Sequence, residues 1–217
     1  MISPDAIDAA DTDAPVLQVD GLSFAYPSHP LFDRWSARFA PGLHLVCGDD
    51  GCGKTTLLRL LAGELMPQAG DLRLGSLRLA DDAQRYRQQM FRTDPVSAAF
   101  DALTPLQWLD NLRGRHAGFD PTLAEALLAR LFLQEHLHKT GHMLSTGSRR
   151  KVWLATALAS RASVILIDQP FAALDAPSIR VVTELLQELG HSGRHIVIIA
   201  DYESRAGLSL SQVLTLG

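Results

Sequence analysis

The sequence predicts an α/β fold: a parallel sheet covered on both faces and carrying a phosphate-binding loop, with an inserted helical lobe. Three observations point there. Gly48-Asp49-Asp50-Gly51-Cys52-Gly53-Lys54-Thr55-Thr56 fits the pattern G-x-x-x-x-G-K-[ST] at every fixed position. Val164-Ile165-Leu166-Ile167 is a continuous apolar run closed by Asp168, as a strand buried on both faces of a parallel sheet requires. Between them, from about Ala83 to His142, the apolar spacing turns helical, so that block reads as an insertion.

The elements are taken in chain order. Residues 1–14 are acidic and Ala-rich and read as a disordered tail, leaving 15–217 as the domain, with the helical lobe at about 84–145. Val16 to Ala25 alternates weakly and stops at Tyr26-Pro27, which predicts an edge strand. Phe32 to Phe39 predicts a second strand, ended by Pro41-Gly42. Gly42 to Cys47 is a short buried strand, and Leu57 to Ala62 a helix ending in a C-cap glycine, Gly63. Leu72-Arg73-Leu74 and Leu77-Arg78-Leu79 flank Gly75-Ser76 as two short strands with one solvated face. Asp120-Pro121 starts a helix with proline in its first position, after which Leu123, Leu127, Leu128, Leu131 and Phe132 share a face. Val152, Ala155, Leu158 and Ala159 mark the helix before the buried strand. Ile179, Val182, Leu185, Leu186 and Leu189 form an amphipathic helix closing at Gly190, and Ile196 to Ala200 is another buried strand.

Bulk properties narrow the function. The 217 residues suffice for one domain with a subdomain. The net charge of −4 is matched by Asp5, Asp8, Asp11 and Asp13 alone, so the rest balances and no nucleic-acid partner is expected. Two cysteines, Cys47 and Cys52, flank or enter the phosphate loop; they make no disulfide framework and fit a reducing compartment. Cys52 is a candidate for oxidation, against a passive filler reading. No apolar run approaches the roughly 20 residues of a membrane span. The N-terminus lacks the basic-then-apolar pattern of a signal peptide.

The loop's chemistry is direct. Glycines let backbone N–H groups face phosphate oxygens, and the following helix N-terminus adds partial positive charge. Lys54 can reach the β- and γ-phosphates, and the Thr55 hydroxyl can bind Mg²⁺. Asp168 reads as the second Mg²⁺-orienting carboxylate, against a plain strand-end aspartate. His136, His138 and His142 have loose metal-ligand spacing, more typical of solvated helix ends. Trp108 and Trp153 read as lobe packing.

Leu144-Ser145-Thr146-Gly147-Ser148, about twenty residues before the acid-capped strand, resembles the LSGGQ signature of ATP-binding cassette (ABC) proteins. Taken alone, it is a helix N-cap. Ala172-Ala173-Leu174-Asp175, after Asp168-Gln169-Pro170, resembles that family's D-loop. The resemblance spans about Val16 to Leu216 and implies a P-loop NTPase with a RecA-like core, an antiparallel β lobe and a helical lobe. It implies that two cassettes, as a homodimer or heterodimer, pair head to tail around ATP and Mg²⁺. The nucleotide then touches Gly48, Asp49, Asp50, Gly51, Cys52, Gly53, Lys54, Thr55 and Thr56 of one copy. Ser145, the Gly147 amide and Asp175 of the other copy seal it. Tyr26 stands where the family stacks an aromatic on adenine, against a reading as a turn tyrosine. Arg149-Arg150-Lys151, in the first turn after the signature, is expected to face solvent or the neighbouring cassette.

Four positions depart from the family pattern. Gln169, native or introduced, replaces the glutamate that acts as general base; an amide can orient water but cannot take its proton. Asp201-Tyr202 occupies the place of the switch histidine, and Asp201 does not suit that part. Asp94 falls near the Q-loop glutamine and could hold Mg²⁺ or its water, with Gln88 and Gln89 as competing candidates. Thr146 and Ser148 alter the signature. Together these imply an ATPase that binds Mg-ATP well and turns over slowly, with Lys54, Asp168, Gln169 and Asp201 at the catalytic positions. The expected role is the ATP-binding subunit of an ABC transporter, cytoplasmic and peripheral at the inner face of the cell membrane, serving integral membrane subunits. No C-terminal regulatory domain is expected after the last core strand, and the compact build is similar to small export-type cassettes, including those of cytochrome c maturation. The alternative is a non-transport ATP-dependent switch docking a soluble partner. A repair- or translation-type cassette lacks its tandem copy or coiled insertion here, and a small-molecule kinase would not explain Leu144 to Ser148 with Ala173 to Asp175.

Overall fold

A computed structural model describes residues 15–27, 29–114, 116 and 118–217; the expected tail over 1–14 lies outside the described residues. The chain runs β1 (Leu17–Tyr26), β2 (His29–Phe39), β3 (Gly42–Cys47), α1 (Lys54–Leu61), β4 (Ala69–Leu74), β5 (Leu77–Arg78), α2 (Ala83–Gln88) and β6 (Met90–Arg92). It continues through α3 (Pro105–Arg113), α4 (Pro121–Arg130), α5 (Thr146–Ala159), β7 (Val164–Asp168), α6 (Ala176–His191), β8 (Ile196–Asp201) and β9 (Gln212–Thr215).

Two sheets result. One is antiparallel, in the order β2-β1-β4-β5, and the other is built of parallel pairs in the order β6-β7-β8-β3-β9. The central parallel strands β7 and β8 are apolar up to their final aspartates because each face is covered. In β7, Ile165 and Ile167 join the core under the helical lobe and α6, while Val164 and Leu166 join the core under α1 and the antiparallel sheet. Successive side chains point to opposite faces, so one run of four serves both cores. Burying each such side chain is worth roughly 1.5–3 kcal/mol.

Local chemistry sets the helix ends. Thr104 caps α3 with a reciprocal box: its hydroxyl accepts from the Gln107 amide at 3.3 Å, and the Gln107 side chain accepts from the Thr104 amide at 2.9 Å. Asp120 caps α4 by accepting from the Leu123 amide at 3.0 Å, with Pro121 in the first turn as the sequence predicts. Trp108 and Trp153 pack together inside the lobe, with ring centres 4.9 Å apart.

Several expectations are corrected. The strand expected at an edge, β1, lies between β2 and β4. Alternation reports which face is buried, not which neighbours pair. The block from Ala83 is not helical throughout: β6 interrupts it and forms an edge of the parallel sheet. β9, which the sequence does not announce, pairs with β3 on the other side. Leu123 and Phe132 are exposed, whereas Leu127, Leu128 and Leu131 are buried. Helix α6 does not close at Gly190. It runs on to His191, and Gly190 instead permits close packing, since a Cβ there would sit 2.9 Å from the Leu43 Cβ. No helix among the described residues is long and apolar enough to cross a membrane.

Candidate functional site

Strand register assembles the site. Cys47 pairs with Asp201 across β3 and β8, and Asp168 pairs with Ala200 across β7 and β8. The parallel strands therefore end on one rim, and the loops leaving them converge there. This is where ligands sit in open α/β sheets. The phosphate loop leaves β3, Gln169 comes directly after β7, and Tyr202 directly after β8.

The loop bends at Gly51 (φ 78°) and Gly53 (φ 99°), both in the left-handed region that glycine enters without penalty. Gly53 is the N-cap of α1 and offers no side chain to its free amides, which leaves them available to an anion. Among the described residues, a Cβ on Gly51 would meet nothing within 4 Å. Lys54 is buried; its ammonium donates to the carbonyls of Gly48 at 2.6 Å and Asp49 at 2.8 Å. Its Nζ also lies 3.9 Å from the Cys52 Sγ and 4.8 Å from the centre of the Tyr202 ring. Cys47 and Cys52 are both free thiols.

The Thr55 hydroxyl donates to the Asp168 carboxylate at 2.5 Å, joining two segments 113 residues apart. The Gln169 backbone is left-handed (φ 47°) and is pinned by its amide donating to the Ala200 carbonyl at 2.8 Å. Its side-chain nitrogen donates to the Tyr202 hydroxyl at 3.5 Å, and that hydroxyl donates to the Asp50 carboxylate at 2.7 Å. The bond to Asp50, first, and the carboxylate's charge, second, raise the Tyr202 pKa. Asp201 turns back to accept from the Tyr202 amide at 2.9 Å. Tyr202, not Asp201, thus reaches into the phosphate loop. The sequence marks the position but not the residue; the only signal is an aromatic one place beyond the strand.

The other expected residues fall on two sides. Tyr26, at the end of β1, lies 3.4 Å from the Thr56 hydroxyl and packs edge-on against Phe24. It therefore sits beside the phosphate loop. Asp94 accepts from Arg92 at 3.1 Å, and Arg92 is also paired with Glu64 at 2.7 Å, so Asp94 sits in an ion-pair network.

Ser145 caps α5, accepting from the Ser148 amide at 3.1 Å, and is exposed; Gly147 is buried against the Ala173 carbonyl. Asp175 caps α6 through the Ser178 amide at 3.0 Å and lies 3.7 Å from the Lys151 ammonium. The basic run after the signature turns inward rather than outward. Arg149 donates to Pro95 O at 3.1 Å, to Ser97 O at 2.9 Å and to Asp101 at 2.5 Å, while Arg150 donates to Ala172 O. Burial pushes the Arg150 pKa down; Asp168 and Asp201 pull it back up. These arginines lace the first turn of α5 to the loops around the site. Among the described residues no group of three or more His, Cys, Asp or Glu could hold a metal.

Comparison with known proteins agrees with this geometry. The family model described as "ABC transporter" matches residues 35–172. The chain is 33% identical to the taurine import ATP-binding protein TauB of Chromobacterium violaceum, over 92% of this chain and 77% of that one. It is 34% identical to the cytochrome c biogenesis ATP-binding export protein CcmA of Nitrosococcus oceani, over 95% and 93%. In fold it is similar to a putative ABC transporter ATP-binding protein from Pyrococcus furiosus, with a TM-score of 0.76 at 21% identity over 93% and 97% of the two chains.

Proposed function

Because this chain belongs to the ABC transporter family, we propose that it works as a transporter's ATP-binding subunit, gripping Mg-ATP at the rim of its parallel sheet and hydrolysing it slowly. The observation that carries the reading is the Thr55–Asp168 bond at 2.5 Å, which puts a hydroxyl and a carboxylate from two distant motifs at one point beside Lys54. These are hard oxygen donors, and few of them, which fits Mg²⁺: it takes one or two protein ligands and fills the rest with phosphate oxygens and water. Bound there, Mg²⁺ would offset charge on the phosphate oxygens.

The chain's own groups divide the remaining work. The free amides of the α1 N-terminus and the Lys54 ammonium bind phosphate. Lys54 exchanges the Gly48 and Asp49 carbonyls for phosphate oxygens, trading neutral acceptors for charged ones. Tyr26 offers an exposed ring beside Thr56 for the base. Ser145, on the exposed first turn of α5, and Asp175, at the head of α6, face a second cassette. Membrane-embedded subunits are separate chains, and docking to them places this subunit at the membrane's inner face. One relative is named for import and another for export, so cargo and direction belong to those partners.

Gln169 sets the rate. Its amide holds water but cannot accept a proton, and a missing general base typically costs about 10²–10⁴-fold. Steady-state ATP turnover of the chain, compared with Gln169→Glu, tests this. Slow turnover that rises by about 10²–10⁴-fold with the glutamate is expected. Fast turnover with Gln169 in place, or no gain from the glutamate, overturns it.

A further inference from the structure

Tyr202 follows the strand end where the switch histidine is expected, and it touches three residues of the site. Its hydroxyl donates to Asp50 in the phosphate loop at 2.7 Å. The same oxygen accepts from the Gln169 side-chain nitrogen at 3.5 Å. Its ring lies 4.8 Å from the Lys54 ammonium. A glutamine amide has two unlike ends, a donor NH₂ and an acceptor oxygen, and only the oxygen can hold an attacking water by accepting its proton in a hydrogen bond. Something must decide which end faces the water.

We propose that Tyr202 is a positioning residue for hydrolysis, turning the Gln169 amide so that its carbonyl oxygen faces the attacking water. This rests on the reading of the chain as an ATPase. The reason is hydrogen-bond polarity. A carboxylate can only accept, so Asp50 claims the single hydroxyl proton of Tyr202. The tyrosine oxygen is then left with lone pairs only. It can accept from the Gln169 NH₂ but offers nothing to the Gln169 oxygen. The amide is therefore sorted: nitrogen toward Tyr202, oxygen released for water. A phenol keeps that proton at neutral pH, and the bond to Asp50 pushes its pKa further up. At 3.5 Å the Gln169–Tyr202 bond is long.

The step itself balances without a base on the protein. The water oxygen bonds to the γ-phosphorus while the bond from that phosphorus to the β,γ-bridging oxygen breaks. ADP leaves with the electron pair, and the water's proton ends on the released inorganic phosphate. Gln169 orients the water and takes no proton.

The test is a double-mutant cycle on the full chain, read by single-turnover hydrolysis of Mg-ATP, with Mg-ATP affinity measured by calorimetric titration. Tyr202→Phe keeps the ring over Lys54 and removes only the hydroxyl. It should slow single-turnover hydrolysis about tenfold, the scale of one lost hydrogen bond, and leave Mg-ATP affinity within about twofold. In the Gln169→Glu background the same change should alter the rate by less than about twofold, because a carboxylate has no donor end to be sorted. Equal slowing in both backgrounds would assign Tyr202 a purely structural part and overturn the proposal, as would an unchanged rate in the Gln169 background. Those results leave the ATPase reading standing. A chain that binds no Mg-ATP overturns both.

Discussion

Gly147→Ala separates two views of the signature glycine. If the residue mattered only as a small, exposed element at a helix start, alanine would stabilise the protein, because glycine is about 0.8–1.0 kcal/mol worse than alanine in a helix. Its φ is ordinary, so no backbone strain opposes the change. The structure predicts the opposite sign. A Cβ at Gly147 would stand closer to the Ala173 carbonyl oxygen than the 3.0 Å that real Cβ atoms respect, with the Ala173 carbon at 3.4 Å. That neighbour is backbone, and Ala173 is itself left-handed at φ 58°, so it has little freedom to yield. Overpacking of this kind costs about 1–3 kcal/mol. Set against the propensity gain, the net is a loss of about 1 kcal/mol, or about 2–4 °C in Tm for a domain of this size. Thermal melts monitored by circular dichroism read it directly. Gly114→Ala is the control: Gly114 is also right-handed, at φ −77°, and among the described residues its Cβ would meet only the Asn111 carbonyl at 3.7 Å, so its Tm should hold or rise. A rise in Tm for Gly147→Ala would refute the packing of the Ala172–Leu174 turn on the signature helix.

Other parts of the structure set two further outcomes. His44 is buried, its Nε2 is 2.7 Å from the Ala40 carbonyl, and burial lowers its pKa from 6.5. The unfolded chain then takes the proton first, so stability is full above pH 6.5 and falls as pH drops below it. Urea midpoints against pH should show that slope, and His44→Gln should flatten it; an equal slope in both proteins would contradict it. Arg149→Ala removes three hydrogen bonds from a side chain only 15% exposed, which predicts about 2 kcal/mol lost and a Tm lower by about 4–8 °C. Arg149→Lys should recover less than half, because a point charge cannot span the same fork. A Tm within about 1 °C of the parent for Arg149→Ala would show that the lacing is idle.

Much of the candidate site at the sheet's rim is legible in the sequence alone, for a physical reason. β3, β7 and β8 are covered on both faces, so their burial is written as apolar runs, broken only by His44 in β3, and the residues just past the end of each run must lie at the sheet's rim. That is why the sequence already groups Lys54, Thr55 and Asp168. Shorter strands carry no such record. β6 has three residues and β9 four, too few for a period to declare itself, and Arg92 at the end of β6 reads as helix or loop equally well. Pairing order is also silent in a single chain, which is why β1 reads as an edge. Arg149, Arg150 and Lys151 look solvent-facing in the sequence because three adjacent charges usually are. Their acceptors, Pro95, Ser97, Asp101, Ala172 and Asp175, are distant in sequence and recognisable only once the loops are folded against α5. Tyr202 is hidden for the same reason. Its partners Asp50 and Gln169 lie on two other strand-end loops.

Calorimetric titration of Mg-ATP into the full chain and into Lys54→Ala puts the whole account at risk at once. Saturable binding of about one ATP per chain is expected, weakened about 10–100-fold when the Lys54 ammonium is removed. Absent binding, or equal affinity in the two proteins, would contradict it.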